Sequence, residues 1–458
     1  MTEEWNKTGE ETGEQAERRR KSARTGAREK RSGERTRRGR RTAREAFPRE
    51  VGGARDEIPV FAPDASYREA YLAPLISVIA SGQYSNFGPM EERLAGRLRA
   101  FTGIPQVLPV SSGDMALYLA LSFFRLGAGT GAESQVPWES ARREVITTPF
   151  TFPSTVEAIL RAGFRPVFAD IDPVTRTLSP ADIQAKITRN TAGILPVHVY
   201  GTVCDTEAIE KIAGEQNLFV LYDAAHAFGE RRGGRSVLSF GDICAISTHA
   251  TKTFHTVEGG CLFSGDGGRM EVLRQMANFG LSKKEGAPVE VLGCNAKMNE
   301  FEAAVGLVNL DHFEAGRKKR RALDARYRRN LAGLPGIRCR ALQEDVESSF
   351  AYFPVFVTEK SPITRDELRE ALRAEGIRTR RYFYPLVSES SVIRELAGYP
   401  PLSEEKDARK AQLLAETPVA LAASREVLCL PFFDDLRPEE VDRICRAIRQ
   451  ALAGKAGV

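Results

Sequence analysis

The stretch Ile194–Asp223, ILPVHVYGTVCDTEAIEKIAGEQNLFVLYD, decides the fold of this chain. Its two ends, Ile194–Val199 and Leu218–Asp223, are short apolar runs of the kind that buried strands show. Between them, Thr206–Glu215 has the pattern of a helix. The stretch therefore predicts a strand, a helix and a second strand.

The same alternation continues towards the N-terminus. It comprises predicted strands at 107–110, 145–147 and 166–170 and predicted helices at 115–124 and 154–162. Strands that alternate with helices of this length predict an α/β fold with a mainly parallel sheet covered by helices on both faces. In such sheets, ligands bind beyond the carboxyl ends of the strands.

A lysine follows the next apolar run. Lys252 stands within Ser247-Thr-His-Ala-Thr-Lys-Thr-Phe-His-Thr-Val-Glu-Gly-Gly260, between the apolar runs Ile243–Ile246 and Cys261–Phe263. On a loop between buried strands, desolvation lowers the pKa of the amine, which can then attack a carbonyl and form a Schiff base. The alternative is a lysine that extends from the loop into solvent.

Two other loops carry groups that suit the same chemistry. Asp223 ends a very apolar strand, where a carboxylate requires a positive partner such as a protonated pyridine nitrogen. The turn Ser112-Gly-Asp114 joins a strand to a helix, and its backbone N–H groups suit a phosphate. Taken singly, each feature is equally typical of helix capping or turn geometry. Together with Lys252, they favour a pyridoxal phosphate site.

Composition limits the class of protein. The chain has 458 residues, 42% of them apolar and 28% charged, which is typical of a globular protein with two or three domains. It has no apolar run of membrane-spanning length and no apolar signal core, so we expect a cytoplasmic protein without membrane contact. Its seven cysteines lie far apart in sequence and indicate neither a disulfide framework nor a metal site.

The basic surplus of the chain lies in its first 50 residues. They hold 16 Lys or Arg and 10 Asp or Glu, leaving 50 basic and 51 acidic residues among the remaining 408. The same segment has very few apolar residues, so it cannot bury enough surface to fold. We therefore predict a disordered extension at residues 1–56. A basic segment of this kind can bind nucleic acid or an anionic surface. Charged termini are more often solvated extensions without such a partner. We therefore do not expect a nucleic-acid partner.

Several motifs together resemble one known family, the DegT/StrS-type pyridoxal-phosphate-dependent sugar aminotransferases. The markers, in chain order, are Asn86-Phe-Gly-Pro89, Ser112-Gly-Asp-Met-Ala-Leu117, Thr148-Pro-Phe-Thr-Phe152, Asp223-Ala-Ala-His-Ala-Phe-Gly229, Ser247 to Gly260, Gly293-Cys-Asn-Ala-Lys-Met298 and Leu430-Pro431. The resemblance implies fold type I of the pyridoxal phosphate enzymes. It also implies a large cofactor-binding domain at 57–315, a small α+β domain at 316–458 and a surface insertion at 128–143.

The resemblance also implies roles for single residues. Lys252 matches the lysine that bonds the cofactor, and Asp223 matches the carboxylate on the pyridine nitrogen. Further cofactor contacts are implied for Gly113, Asp114, Phe152, His226, Ser247 and Asn295, and substrate contacts for Asn86, Arg381 and Tyr384. His226 stands where the family usually has glutamine, and Asp114 where threonine is common. Asn295 matches a residue that reaches the neighbouring subunit's site, which implies a homodimer with shared active sites.

The implied activity is transfer of an amino group from an amino acid to a nucleotide-linked keto-deoxysugar. Glutamate is the expected amino donor. The loops around Lys252 and Asn295 resemble the subgroup that aminates C4 of a dTDP-4-keto-6-deoxyhexose. Two alternatives remain open. The same cofactor supports sugar dehydration or epimerisation, although the sugar dehydratases of this type carry histidine in place of the lysine. The second alternative is a non-catalytic regulatory or nucleic-acid-binding module on the same fold, against which Lys252 and Asp223 argue.

Overall fold

The computed structural model describes residues 56–454, apart from residues 65, 128–141, 282–285 and 287. All but the last residue of the expected basic extension lies outside the described residues, and so do residues 128–141 of the expected insertion. No described helix combines the length and apolar composition needed to cross a membrane. The cytoplasmic location stays a prediction.

Thirteen strands are present in the part of the chain that the structure describes. They are β1 (Gln106–Val110), β2 (Glu144–Thr147), β3 (Arg165–Phe168), β4 (Thr191–Leu195), β5 (Phe219–Asp223), β6 (Arg231–Arg232), β7 (Arg235–Ser236), β8 (Ile243–Ser247), β9 (Gly260–Ser264), β10 (Ile337–Cys339), β11 (Val346–Glu347), β12 (Phe353–Val357) and β13 (Val427–Leu430).

Helices connect and cover these strands. They are α1 (Leu72–Ser81), α2 (Pro89–Thr102), α3 (Gly113–Leu126), α4 (Pro153–Arg161), α5 (Pro180–Lys186), α6 (Thr206–Gln216), α7 (Gly267–Met276), α8 (Glu300–Leu331), α9 (Arg365–Ala374), α10 (Ser391–Leu396), α11 (Lys406–Glu416), α12 (Pro418–Glu426) and α13 (Pro438–Ala453).

The central sheet has seven strands in the order β1-β9-β8-β5-β4-β2-β3. Pairing is parallel from β8 through β5, β4 and β2 to β3. Strand β9 runs antiparallel to both of its neighbours, β1 and β8. The prediction of a mainly parallel sheet is therefore confirmed. Strands β1, β5 and β8 run in one direction, so their carboxyl ends meet at the same edge of the sheet.

Both faces of this sheet are buried, as the continuous apolar runs of the sequence predict. In β2, Val145 packs in the hydrophobic cluster on one face and Ile146 in the cluster on the other. In β4, Ile194 and Leu195 divide in the same way. This alternation follows from the period of two along a strand, which turns successive side chains to opposite faces.

The predicted strand Ile194–Val199 is wrong in its extent. Strand β4 begins at Thr191 and ends at Leu195. The next residue, Pro196, has no N–H to donate to a neighbouring strand, so regular pairing stops there. A single further bridge joins Val197 to Asp223, and the chain then turns through a short 3₁₀ helix at Val199–Gly201.

A long helix leads from the central sheet to a second one. Helix α8 begins at Glu300, where the side chain of Asn299 accepts a hydrogen bond from the Glu302 N–H at 2.9 Å. Strands β10, β12 and β13 form an antiparallel sheet whose apolar side chains share one core with α8, α9 and α13. Since α8 crosses residue 315 without interruption, a domain boundary there falls within a helix, and the division into domains stays a prediction.

Candidate active site

A cavity of about 440 Å³ lies at the carboxyl ends of β1, β5 and β8. Seven of the residues selected from the sequence line it, namely Gly113, Asp114, Phe152, Asp223, His226, Ser247 and Lys252. We call it the Lys252 cavity. Its volume is in the range of sites that enclose a cofactor-sized molecule.

Lys252 is held on the loop that joins β8 to β9. Its backbone N–H donates to the carbonyl of His249 at 2.8 Å, which forms a tight turn. Its Nζ donates to the hydroxyl oxygen of Tyr352 at 3.3 Å. Burial lowers the pKa of Lys252 to about 8, although the negative charge of Asp223 acts in the opposite direction. The amine therefore loses its proton near pH 8, at a lower pH than an ordinary lysine does.

Asp223 is the last residue of β5 and is only 5% exposed. Its Oδ2 accepts a hydrogen bond from the Thr155 hydroxyl at 2.7 Å, and its Oδ1 accepts one from the Ala225 N–H at 3.1 Å. Burial raises the pKa of this carboxyl, while the two hydrogen bonds and the charge of Lys252 oppose the rise. A carboxylate so placed is stabilised by a cation in the cavity, and a protonated pyridine nitrogen is such a cation.

His226 is fixed by a hydrogen bond to its ring. The Tyr200 N–H donates to His226 Nδ1 at 3.1 Å, so in the neutral ring the proton is carried by Nε2. Burial, followed by the charge of Lys252, lowers the pKa of His226 well below its ordinary value. The His226 ring centroid lies 4.4 Å from that of Tyr352, the hydroxyl partner of Lys252. The residue thus provides a neutral N–H donor.

The start of α3 packs directly against β8. Ser112 caps this helix, and its hydroxyl oxygen accepts a hydrogen bond from the Met115 N–H at 3.1 Å. A Cβ atom added to Gly113 would lie 2.6 Å from the Cβ of Ser247. The absence of a side chain at Gly113 therefore brings the helix N-terminus and Ser247 together, and this arrangement suits an anion.

The charge of Asp114 is balanced locally. Its Oδ1 pairs with the guanidinium of Arg161 at 2.5 Å, across the surface between α3 and α4. This ion pair offsets the repulsion between a carboxylate and an anion at the helix N-terminus. Because its side chain is paired with Arg161, Asp114 can offer an anion its backbone N–H.

Phe152 caps the N-terminus of α4 and is 56% exposed on this chain. A core residue of this size is normally buried, whereas Phe152 lines the cavity with more than half of its surface exposed to solvent. A flat conjugated ring in the cavity would cover it. With Lys252, Asp223 and the start of α3, the residues present fit pyridoxal phosphate.

The residues selected for substrate contact lie outside this cavity. Arg381 pairs with Asp366 at 3.1 Å and its guanidinium lies 4.6 Å from the ring centroid of Tyr384. Both Arg381 and Tyr384 line a neighbouring groove of about 570 Å³, which we call the Arg381 groove. Asn86 and Asn295 are exposed and line neither space.

Three residues of the site are not among the single-residue roles assigned above, although Arg380 lies in the stretch Thr379–Pro385 that resembles the family's nucleotide-sugar contact. Thr155 holds Asp223, Tyr352 contacts Lys252, and Arg380 lines the Lys252 cavity. Tyr352 immediately precedes β12, and Arg380 adjoins the selected Arg381. Both come from chain segments far from Lys252 in sequence, and no local pattern joins them to it.

Comparison with known proteins finds one matching family and several similar chains. Residues 66–449 match the sequence profile of the DegT/DnrJ/EryC1/StrS aminotransferase family. A dTDP-4-amino-4,6-dideoxy-D-glucose transaminase of Shigella dysenteriae is 35% identical over 396 residues, which cover 86% of this chain and 99% of that protein. Its counterpart from Escherichia coli is 33% identical over 392 residues, covering 85% and 98%.

A solved structure has the same fold. DesI in the presence of its TDP-sugar product matches with a TM-score of 0.75 and 30% identity, over 88% of this chain and 95% of that one.

Proposed function

The chain belongs to the DegT/DnrJ/EryC1/StrS aminotransferase family, whose members are pyridoxal-phosphate-dependent, and we propose that it transfers an amino group from glutamate to a nucleotide-linked keto-deoxysugar. The observation that carries the proposal is the Lys252 cavity itself. It brings an amine with a lowered pKa, a buried carboxylate and a helix N-terminus into one space. Those are the groups that hold and activate pyridoxal phosphate.

The chain's own residues have separate tasks in this reaction. When bound, the cofactor supplies a reactive aldehyde and an electron sink for the bond that breaks at the amino acid's α-carbon. With the cofactor bound, Lys252 Nζ would act as the general base that accepts the proton from the amino acid's α-carbon and as the general acid that donates it back to the substrate–cofactor adduct. The Tyr352 hydroxyl, 3.3 Å away, orients that amine.

The remaining groups hold the cofactor and set its charge. Asp223 stabilises a proton on the pyridine nitrogen, and Thr155 with the Ala225 N–H keeps the carboxylate in place. The first turn of α3 and Ser247 bind the phosphate. His226 Nε2–H would donate a hydrogen bond to an oxygen of the cofactor ring, and Phe152 would cover one face of that ring.

The substrate proposal is a dTDP-linked 4-keto-6-deoxyhexose. Its support is the match to two dTDP-4-amino-4,6-dideoxy-D-glucose transaminases over nearly their whole lengths. Neither the dehydratase or epimerase alternative nor the non-catalytic alternative is favoured, because an intact lysine and carboxylate meet in the cavity. Incubation with glutamate and dTDP-4-keto-6-deoxyglucose should yield an amino sugar detectable by mass. A protein that carries the cofactor but aminates none of several nucleotide ketosugars would contradict the proposal.

We also propose a homodimer whose active sites are shared. Asn295 is exposed and lies outside the Lys252 cavity of its own chain, as expected of a residue that serves a partner. Asn86, on a loop where its φ is 65°, is exposed in the same way. In the proposed dimer, the side chain of Asn295 binds the phosphate in the second subunit.

A further inference from the structure

Arg380 stands where three spaces meet. It lines the Lys252 cavity and the Arg381 groove. It also lines a third cavity, of about 480 Å³, beside Glu57, which we call the Glu57 cavity. Among the residues that line the Lys252 cavity, Arg380 is the sole arginine in the part of the chain that the structure describes.

The other arginines around these spaces have acidic partners. The pairs are Arg369 with Glu370 at 2.7 Å, Arg373 with Glu370 at 3.0 Å, Arg378 with Glu57 at 2.5 Å, Arg381 with Asp366 at 3.1 Å and Arg409 with Glu389 at 3.6 Å. Arg380 forms no ion pair with the described residues. Its charge is therefore available to a ligand.

The backbone of Arg380 is fixed although its side chain is exposed. Its N–H donates to the carbonyl of Cys429 at 3.1 Å, and its carbonyl accepts from the Cys429 N–H at 2.7 Å. Two residues further on, the carbonyl of Tyr382 accepts a hydrogen bond from the Tyr200 hydroxyl. Because the backbone is already fixed, ligand binding has to order only the Arg380 side chain, which limits the entropic cost of binding.

The other charges of the Lys252 cavity are already accounted for. Asp114 is paired with Arg161, and Glu258 lies 3.5 Å from His249. Asp223 is assigned to the cofactor. An amino acid must bring its α-carbon to Lys252 Nζ, so its carboxylate enters the same cavity and needs a cation there. Arg380 supplies it.

We propose that Arg380 binds the carboxylate of the amino donor and so selects amino acids over simple amines. The planar guanidinium can donate two parallel N–H···O bonds to a carboxylate, which fixes orientation as well as position. The inference rests on the proposed function of the Lys252 cavity and assigns it a residue for its first substrate.

The test compares Arg380→Gln with Arg369→Gln in the cofactor-loaded protein. The rate at which the cofactor's visible absorption band changes, measured over a range of glutamate concentrations, gives an apparent Kd from its half-saturation. Arg380→Gln should raise it about 10–100-fold, because charge-assisted hydrogen bonds are lost. Arg369→Gln, which removes a paired arginine outside the Lys252 cavity, should leave it unchanged. Arg380→Lys keeps the charge but loses the two parallel N–H donors, so its apparent Kd for glutamate should lie between those of the wild type and Arg380→Gln.

A second readout separates recognition from folding. The same titration with propylamine, which has no carboxylate, should give one Kd for the wild type and Arg380→Gln. Calorimetric titration with glutarate, which has no amine to react, should show weaker binding to Arg380→Gln. Equal losses with glutamate and propylamine would show a structural role and overturn the inference.

Three further outcomes are decisive. An Arg380→Gln variant with unchanged glutamate affinity but a raised KM for the nucleotide ketosugar would assign the guanidinium to the diphosphate, against the inference. A wild-type protein that carries the cofactor and shows no response to glutamate would contradict the proposed function and this inference together. A wild type that responds, with Arg380→Gln responding equally, would contradict the inference alone.

Discussion

At the scale of single residues, the site depends on how burial acts on two opposite charges. Burial lowers the pKa of Lys252 to about 8 and raises the pKa of Asp223, so it disfavours the charged form of each. Each charge in turn favours the other. The amine is therefore available for reaction, while the carboxylate remains ready to pair with a cationic ring.

A pH profile checks this balance in the cofactor-free protein. Because the pKa of Lys252 is lowered, its neutral, nucleophilic form should predominate above about pH 8, where an ordinary lysine of pKa about 10.4 is still charged. The rate at which an acylating reagent modifies Lys252, followed by peptide mass, should rise with a midpoint near pH 8. A free lysine derivative provides the reference.

Asp223→Asn provides the matched variant. It removes the negative charge that raises the pKa of Lys252, so the midpoint should move to lower pH. A midpoint that stays in place, or moves upward, would contradict the coupling between the two residues.

The residues that could be predicted from the sequence share one property. Asp223 ends a strand of the central sheet, and Gly113 and Lys252 follow one, so a strand and a chemically informative residue occur together in sequence. Thr155 and Tyr352 act on those residues through contacts across the fold, and nothing nearby in sequence indicates them. Arg381 was selected where Arg380 lines the cavity, because adjacent arginines differ only in where the folded backbone directs them.

At the scale of elements, the approach of α3 to the strands shapes the anion site. Strand β9 lies between β1 and β8, and a Cβ atom added to Gly260 at its start would lie 2.5 Å from the carbonyl oxygen of Ser112. Gly113 is equally constrained by Ser247. The start of α3 and the turn before it therefore lie directly against β8 and β9, because Gly113 and Gly260 have no side chains.

Replacing Gly113 should separate these elements. In Gly113→Ala, the new methyl would collide with Ser247, so we expect a loss of about 1–3 kcal/mol in the free energy of unfolding and weaker cofactor binding. Gly214→Ala is the control, because no atom lies within 4 Å of the added Cβ on helix α6. It should gain about 0.4–1 kcal/mol. Denaturant unfolding and cofactor titration measure both, and a Gly113→Ala protein with wild-type cofactor affinity would contradict the account.

The order of strands and helices was predictable because both faces of the sheet are buried, which makes each strand a continuous apolar run. The residues at which strands begin and end were harder to predict. Pro196 lies inside one such run but cannot donate to the sheet, and β4 ends before it. The reversed direction of β9 has no sequence signal either, since an apolar run looks the same in both directions.

At the scale of the whole molecule, the proposed dimer makes a quantitative prediction. Lys252→Ala removes the amine, and Asn295→Asp places a carboxylate where the partner's phosphate would bind, so each variant alone should be inactive. If Asn295 serves the partner, a hybrid dimer gathers both substitutions in one site. Its other site then has a wild-type Lys252 and a wild-type Asn295. Random exchange of the two variants should then restore about one quarter of wild-type activity, from the statistics of pairing in a twofold dimer. No recovery, with exchange verified by mass, would place Asn295 in its own subunit's site, and an active Asn295→Asp homodimer would place it outside both sites.

The most direct test of the account is covalent trapping at Lys252. Borohydride should make the bond between the cofactor and the protein permanent, and a tryptic digest should then carry the cofactor's mass on the peptide that contains Lys252. The Lys252→Ala protein, treated identically, should carry none. Trapped cofactor on another lysine, or equal labelling of the Lys252→Ala protein, would contradict the central assignment.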